Sequence, residues 1–110
     1  PDRPWAIWYP LRRKSAFYQL EPRERGMILA EHGMLGRSYG EAGLAQDIRL
    51  KCFGFDRNDN EFLIGLVGSE LNALSRLVED MRETQQTAQY IDSLGPFFVG
   101  HRIGSVNIET

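Results

Sequence analysis

The residues of this chain best suited to chemistry are a histidine, a tyrosine and a short run of cations. His32 has Ile28 four residues before it and Leu35 three residues after it, so a helix would place its ring on or beside an apolar stripe. An imidazole nitrogen is a common ligand of transition metals, heme iron among them. A single histidine on an apolar helix face is more often a hydrogen-bonded core residue. On the residues alone, both interpretations stay open.

The cations follow Tyr9, which ends an aromatic stretch. A phenol at this place can donate a hydrogen bond, act as a redox-active group or simply occupy the end of a strand. Arg12, Arg13 and Lys14 are consecutive, and guanidinium groups bind carboxylates and phosphates through paired hydrogen bonds. The run therefore predicts either an anion clamp or a solvated loop.

Further polar and aromatic residues are candidates of the same kind. Phe17 and Tyr18 offer flat apolar surface to an aromatic ligand, or ordinary core packing. Glu83 lies late in a predicted helix, and a carboxylate that accepts the second N–H of a metal-bound histidine is a common arrangement. A surface glutamate is the alternative. His101 lies in a polar stretch near the chain end and is interpreted as a surface residue.

Composition restricts the class of protein. The chain has 110 residues with 42% hydrophobic and 25% charged residues and a net charge of −2, which favours one soluble domain and disfavours a nucleic-acid-binding face. The longest uncharged apolar run, residues 62–68, is too short for a membrane span. The single Cys52 excludes an internal disulfide and favours a reducing compartment, so a cytoplasmic protein is expected. Because the chain does not begin with methionine, we expect a longer parent protein.

Hydrophobic periodicity and turn residues predict six elements, in the order strand, helix, strand, strand, helix, strand. The predicted bounds are residues 5–9, 21–38, 47–55 and 61–68, then a helix capped by Ser69 with a buried stripe from Leu71 to Met81, and last 97–100. This order is typical of the α+β ferredoxin-like fold, βαββαβ, an antiparallel sheet with two helices on one face. Two helices leave the other face bare, so we expect it to pair with a second domain or subunit, as in dimeric α+β barrels.

Six short segments carry more information together than any of them does alone. They are residues 8–14 (WYPLRRK), 20–25 (LEPRER), 31–39 (EHGMLGRSY), 54–56 (GFD), 81–83 (MRE) and 95–100 (GPFFVG). In this order and spacing, from Trp5 to about Ile103, the chain resembles the C-terminal, heme-binding half of the chlorite dismutase family, which includes the coproheme decarboxylases (HemQ). The family has two ferredoxin-like domains, so the resemblance implies that an absent N-terminal half or a homo-oligomer completes the packing.

The resemblance implies a heme-dependent oxidoreductase with iron and either heme b or coproheme as its cofactor. Peroxide-dependent decarboxylation of coproheme is the first expectation. Chlorite dismutation or a generic heme peroxidase activity is one alternative. A non-catalytic heme-binding module, or another dimeric α+β barrel module with a different ligand, is the other. The implied partners are a porphyrin and an oxidant, with no nucleic acid and no membrane span.

The resemblance also implies roles for individual residues. His32 matches the axial ligand of the iron, Glu83 matches the carboxylate that hydrogen-bonds it, and Tyr9 matches the radical-forming tyrosine of HemQ. The residues implied to lie beside the heme or its propionates are Arg12, Arg13, Lys14, Phe17 and Tyr18.

The residue on the distal side of the heme is not fixed by the resemblance. Counting forward from His32 gives Ala45, and counting back from residues 54–56 gives Asp47. Gln46 and Arg49 lie close by. Arg49 shares strand parity with Asp47 and is the catalytic candidate on this side.

Overall fold

The computed structural model describes residues 2–51 and 61–104, and the predicted turn at 56–60 and Cys52 lie outside these ranges. Within them the strands are β1 (Trp5–Arg13), β2 (Gln46–Lys51), β3 (Phe62–Gly68), β4 (Ile91–Leu94) and β5 (Phe98–His101). The helices are α1 (Ser15–Tyr18), α2 (Pro22–Glu41), α3 (Leu71–Met81) and α4 (Gln85–Tyr90).

The strands form one antiparallel sheet in the order β2-β3-β1-β4, with β5 also paired to β1. β5 corresponds to the predicted last strand at 97–100, and β4 is an additional strand that the sequence does not predict. The two long helices, α2 and α3, pack on one face of this sheet. The predicted ferredoxin-like α+β fold is therefore confirmed.

The first strand is longer than predicted, because Pro10 does not end it. The backbone N–H of Gly95 donates to the carbonyl of Pro10 (2.9 Å), so this edge of Pro10 faces the segment between β4 and β5. Trp8 pairs with Phe98 of β5, and Leu11 pairs with Leu94 of β4. The missing N–H of proline thus falls where the neighbouring strand is interrupted, and no ladder hydrogen bond is lost.

The helices also differ from the predicted bounds. α2 continues to Glu41, past the predicted end near Ser38, and stops shortly before Gly43, whose φ of 72° lies in the left-handed region. α3 begins at Leu71 with Glu70 as its N-cap, so Ser69 is not the cap. Helix α4 was not predicted, because its sequence QQTAQY has little apolar periodicity.

The core lies between the helices and the sheet. Leu66 of β3 and Leu74 and Leu77 of α3 are almost fully buried there, and burial of each such side chain contributes about 1.5–3 kcal/mol. The predicted stripe of α3 is confirmed. In α2, however, Met27 and Met34 lie on the exposed side, and Ile28 carries the buried contact.

The opposite face of the sheet is apolar and uncovered. Leu50 is 57% exposed and Phe98 62% exposed, and Ile48 is also exposed. The ring of Trp8 lies over Gly65 on the neighbouring strand, so closely that a Cβ atom built on Gly65 would be 2.3 Å from the ring.

Among the described residues, no helix is long and apolar enough to cross a membrane.

Candidate functional site

A cavity of about 760 Å³ lies between α2 and the helix-covered face of the sheet. Pockets that bind small molecules have volumes of about 300–1,000 Å³, so the cavity suits a large organic ligand. Tyr9 and Arg13 of β1, Asp47 and Arg49 of β2 and His32 of α2 all line it. The fold thus brings together residues from three separate segments of the chain.

His32 lines the cavity from the middle of α2. Its Nδ1 atom is buried, and no described residue makes a hydrogen bond to it. Burial lowers the pKa of His32 below its ordinary value, and the nearby cations Arg13 and Arg49 lower it further. The imidazole is therefore neutral at neutral pH, which is the form that binds a metal ion.

Glycines of α2 line the cavity near His32, so this part of the cavity wall carries no side chains. Gly33, Gly36 and Gly40 of α2 all line it, and a Cβ atom built on Gly33 would meet no atom within 4 Å. The helix backbone is therefore open to a flat ligand on the side that carries the histidine.

Tyr9 forms part of the cavity wall on the sheet side. It is only 4% exposed, and its ring packs against Phe97 with centroids 4.5 Å apart. Burial raises the pKa of Tyr9 to about 12, with a smaller contribution from the negative charge of Asp47. The phenol therefore keeps its proton at any physiological pH.

Arg13 is fixed in the cavity wall by a hydrogen-bonded network. Its Nε and Nη2 atoms donate to Oε1 of Gln86 (3.2 and 3.0 Å), and its Nη1 atom donates to the hydroxyl of Tyr18 (3.3 Å). Tyr18 in turn donates to Glu61, whose other carboxylate oxygen accepts the backbone N–H of Arg13 (2.6 Å). The Arg13 guanidinium also lies over the rings of Phe17 and Phe62, 4.8 Å from each centroid.

The structure separates the three consecutive cations. Side chains alternate along a strand, so Arg12 points away from Arg13 and forms an ion pair with Asp92 (2.8 Å). Arg12 and the exposed Lys14 line a smaller pocket of about 460 Å³ at the end of β1, which Arg13 also borders. Of the run, only Arg13 reaches the large cavity.

The candidates for the distal side all lie along one wall. Ala45, Gln46, Asp47 and Arg49 line the cavity. Arg49 and Asp47 share a face of β2, as their parity predicts, and the Arg49 guanidinium lies 5.8 Å from the ring centroid of Phe62. Arg49 therefore lines the cavity beside Asp47, and its catalytic role stays a prediction.

Glu83 is not brought to His32. α3 ends at Met81, which lines the cavity, and Glu83 lies two residues later with an exposed side chain. The chain has turned there, since the backbone N–H of Glu83 donates to the carbonyl of Asp80 (3.1 Å). The expected hydrogen bond from the ring to this carboxylate is not formed in the structure.

The two aromatic candidates have different surroundings. Phe17 is buried and makes an edge-to-face contact with Tyr90, with centroids 5.8 Å apart. Tyr18 is about half exposed, and the partial burial of its side chain together with its hydrogen bond to Glu61 raises its pKa. Neither ring lines the large cavity, and both contact Arg13, which does.

Gln86 is the site residue that the sequence did not indicate. It lies in α4, the helix without a periodic pattern, and is 2% exposed at the cavity wall. A buried glutamine carries no motif, so only the contact with Arg13 reveals it. Among the described residues, no three histidine, cysteine, aspartate or glutamate side chains form a metal-binding cluster.

Comparison with known proteins gives relatives over almost the whole chain. The sequence model of the chlorite dismutase family matches residues 1–103. Coproheme decarboxylase from Staphylococcus carnosus (strain TM300) is 33% identical over 114 aligned residues, which cover 100% of this chain and 44% of that protein. The chain therefore spans less than half the length of this relative.

Solved structures give the same fold. A heme-binding protein from Thermus thermophilus superposes with a TM-score of 0.79 at 28% identity, over 92% of this chain and 40% of that one. A mutant chlorite dismutase from Candidatus Nitrospira defluvii superposes with a TM-score of 0.79 at 21% identity, over 91% of this chain and 40% of that one. Because the second of these structures is only 21% identical in sequence, its similarity to this chain shows the fold alone.

Proposed function

This chain belongs to the chlorite dismutase family, and from that premise we propose that it binds an iron porphyrin in the large cavity, where His32 would be a ligand of the iron. The observation that carries this proposal is the buried Nδ1 atom of His32, which no described residue hydrogen-bonds, on the wall of a cavity of about 760 Å³. The exposed backbone at Gly33 supports it, because a flat macrocycle needs close approach to the helix that bears the ligand.

The residues of the chain would hold the group in complementary ways. His32 would donate a nitrogen lone pair from one side, and Arg13 would bind a propionate at the wall. The bound iron would supply the reaction with peroxide or chlorite, which side chains cannot perform. Arg49 and Asp47 would determine the polarity of the wall formed by β2.

We propose peroxide-dependent decarboxylation of coproheme as the activity of the complete protein. Tyr9 supports this proposal, because it is a buried, protonated phenol on the cavity wall and can give up an electron and a proton to a neighbouring group. The 33% identity to a coproheme decarboxylase supports it further. Chlorite dismutation is the second candidate, favoured by the presence of Arg49 on the cavity wall.

We also propose that the uncovered face of the sheet is packed in the complete protein. Exposed Ile48, Leu50 and Phe98 form an apolar surface on the side without helices. An N-terminal domain of a longer chain or a second copy of this chain would cover it. The relative's length supports such a cover, since this chain accounts for 44% of it.

The test is a titration of the purified chain with hemin and with coproheme, followed by its Soret absorbance. We expect a shifted Soret band that saturates at one porphyrin per chain, and loss of the shift in His32→Ala. The matched control is His101→Ala, which removes the chain's other histidine at an exposed position. Unchanged spectra in His32→Ala would refute iron ligation by this residue. Addition of peroxide to the coproheme complex and chlorite to the heme complex then distinguishes the two activities by their products.

A further inference from the structure

The contacts of Arg13 are almost all with uncharged groups. A guanidinium has five N–H donors, and three of them are bound, two by Gln86 and one by Tyr18. One N–H on Nη1 and one on Nη2 have no acceptor among residues 2–51 and 61–104. Within the same ranges, no carboxylate accepts a hydrogen bond from this guanidinium.

Gln86 is suited to hold the guanidinium without neutralising it. Its amide oxygen accepts from both Nε and Nη2, which fixes one edge of the planar group. The side chain is 2% exposed, so it is itself held by its surroundings. Phe17 and Phe62 add ring faces at 4.8 Å, which restrict the tilt of the plane. The result is a positively charged group with a fixed position and two N–H donors that no described residue accepts.

We propose that Gln86 is a positioning residue, which acts through Arg13 to hold these two N–H donors ready for a carboxylate of the ligand at the cavity wall. The inference rests on the proposed function in one respect, namely that this carboxylate is a porphyrin propionate. A glutamate in place of Gln86 would keep the hydrogen bonds but pair with the charge. An apolar side chain of the same length would release the guanidinium.

The experiment measures Kd by absorbance titration of the purified chain with coproheme and with metal-free coproporphyrin. Both ligands carry four carboxylates, but only coproheme can bond to His32. For Gln86→Glu and Gln86→Met we expect Kd to rise about tenfold with both ligands, the loss typical of a charge-assisted hydrogen bond. Gln89→Glu is the matched control, because Gln89 lies in the same helix, is exposed and bonds only Gln85 among the described residues. It should change Kd less than about twofold.

A double-variant cycle separates positioning from a general structural effect. If Gln86 acts through Arg13, then Gln86→Met should cause no further loss of affinity in an Arg13→Met background. Circular dichroism of each variant checks the fold, and the nearly isosteric Gln86→Glu serves where Gln86→Met does not fold. A full tenfold loss in the Arg13→Met background, or equal Kd values for Gln86→Glu and Gln89→Glu, would overturn the inference.

The two ligands keep this inference distinct from the proposed function. If metal-free coproporphyrin binds as expected but coproheme shows no spectral change dependent on His32, iron ligation fails and the role of Gln86 stands. If both porphyrins bind and the Gln86 variants bind them normally, the role of Gln86 fails and iron ligation stands. If neither porphyrin binds to the unmodified chain, both are overturned.

Discussion

Tyr9 is buried and lies on the cavity wall, so removal of its hydroxyl should affect turnover much more than porphyrin affinity. Tyr9→Phe keeps the ring that packs against Phe97 and loses only the hydroxyl. We expect porphyrin affinity to change less than about twofold, because the ring surface is retained. Turnover of coproheme in the complete protein should cease, since the phenol is the proposed redox-active group. Product analysis by mass spectrometry measures this loss.

A variant with the same bulk provides the control for Tyr9. Tyr39→Phe removes a hydroxyl that hydrogen-bonds Asp80 between α2 and α3, away from the cavity wall. It should leave product formation intact. Decarboxylation at the normal rate by Tyr9→Phe would contradict the proposed role.

The protonation of His32 gives a pH-dependent prediction for the protein without porphyrin. Because burial and two cations lower the pKa of His32, the unfolded chain takes up this proton at a higher pH than the folded chain. The contribution of His32 to stability is therefore complete above the unfolded pKa of about 6.5 and is lost as the pH falls through the folded pKa. Arg49→Gln should raise the folded pKa and reduce this acid sensitivity.

Proton NMR titration measures this effect directly. A His101→Gln background leaves His32 as the only histidine, so its ring signal is unambiguous. Arg102→Gln provides the same change of charge at an exposed ion pair with Asp2, and should not move the titration. An identical midpoint in Arg49→Gln would show that this cation does not act on His32.

The sequence predicted single residues best where strand or helix geometry decides their direction. The parity of Arg49 and the helical spacing around His32 both lead to the cavity. The expectation for Glu83 came from the resemblance, and in the structure this residue is exposed two positions after the end of α3 at Met81. The roles of all these residues stay predictions. Gln86 was missed, because an amide side chain has no pattern that marks its partner.

At the scale of elements, the close contact of β1 with β3 provides a sharp test. A Cβ atom on Gly65 would lie 2.3 Å from the Trp8 ring, so Gly65→Ala forces the ring to move. We expect a loss of about 1–3 kcal/mol in the free energy of unfolding, measured by urea denaturation. The matched variant is Gly100→Ala in β5, where a Cβ atom would meet nothing within 4 Å. A similar loss in both variants would point to the strand backbone rather than to the ring.

The predicted elements were accurate wherever apolar periodicity was strong. The buried stripe of α3 and strand β3 match closely. The missed elements α1, α4 and β4 have a common reason, since each is only four to six residues long and too short to show a periodic pattern. The sequence predicts that the first strand ends at residue 9, before Pro10, because sequence alone does not show where the neighbouring strand is interrupted.

At the scale of the whole molecule, the bare sheet face predicts association. The proposed cover buries Leu50 and Phe98, and a charge there would oppose it. We expect the unmodified chain to elute above its monomer mass of 12.6 kDa and the double variant Leu50→Lys/Phe98→Lys to elute as a monomer. Light scattering during size-exclusion chromatography measures both masses.

Ser75→Lys is the control for added charge, because Ser75 is an exposed residue of α3 on the other side of the sheet. It should leave the mass unchanged. A monomeric unmodified chain would contradict association with a second copy.

The position of Trp8 over Gly65 has a practical consequence. The sheet is one layer thick, so a porphyrin on the helix side would lie on the order of 10 Å from this indole, close enough to quench its fluorescence by energy transfer. The same indole lies on the bare face, where a covering surface would shift its emission to shorter wavelength. Replacement of Trp5, the only other tryptophan, by phenylalanine would leave Trp8 as the single tryptophan. The intensity of its emission would then report a ligand on one side of the sheet, and the wavelength of its emission would report contact on the other side.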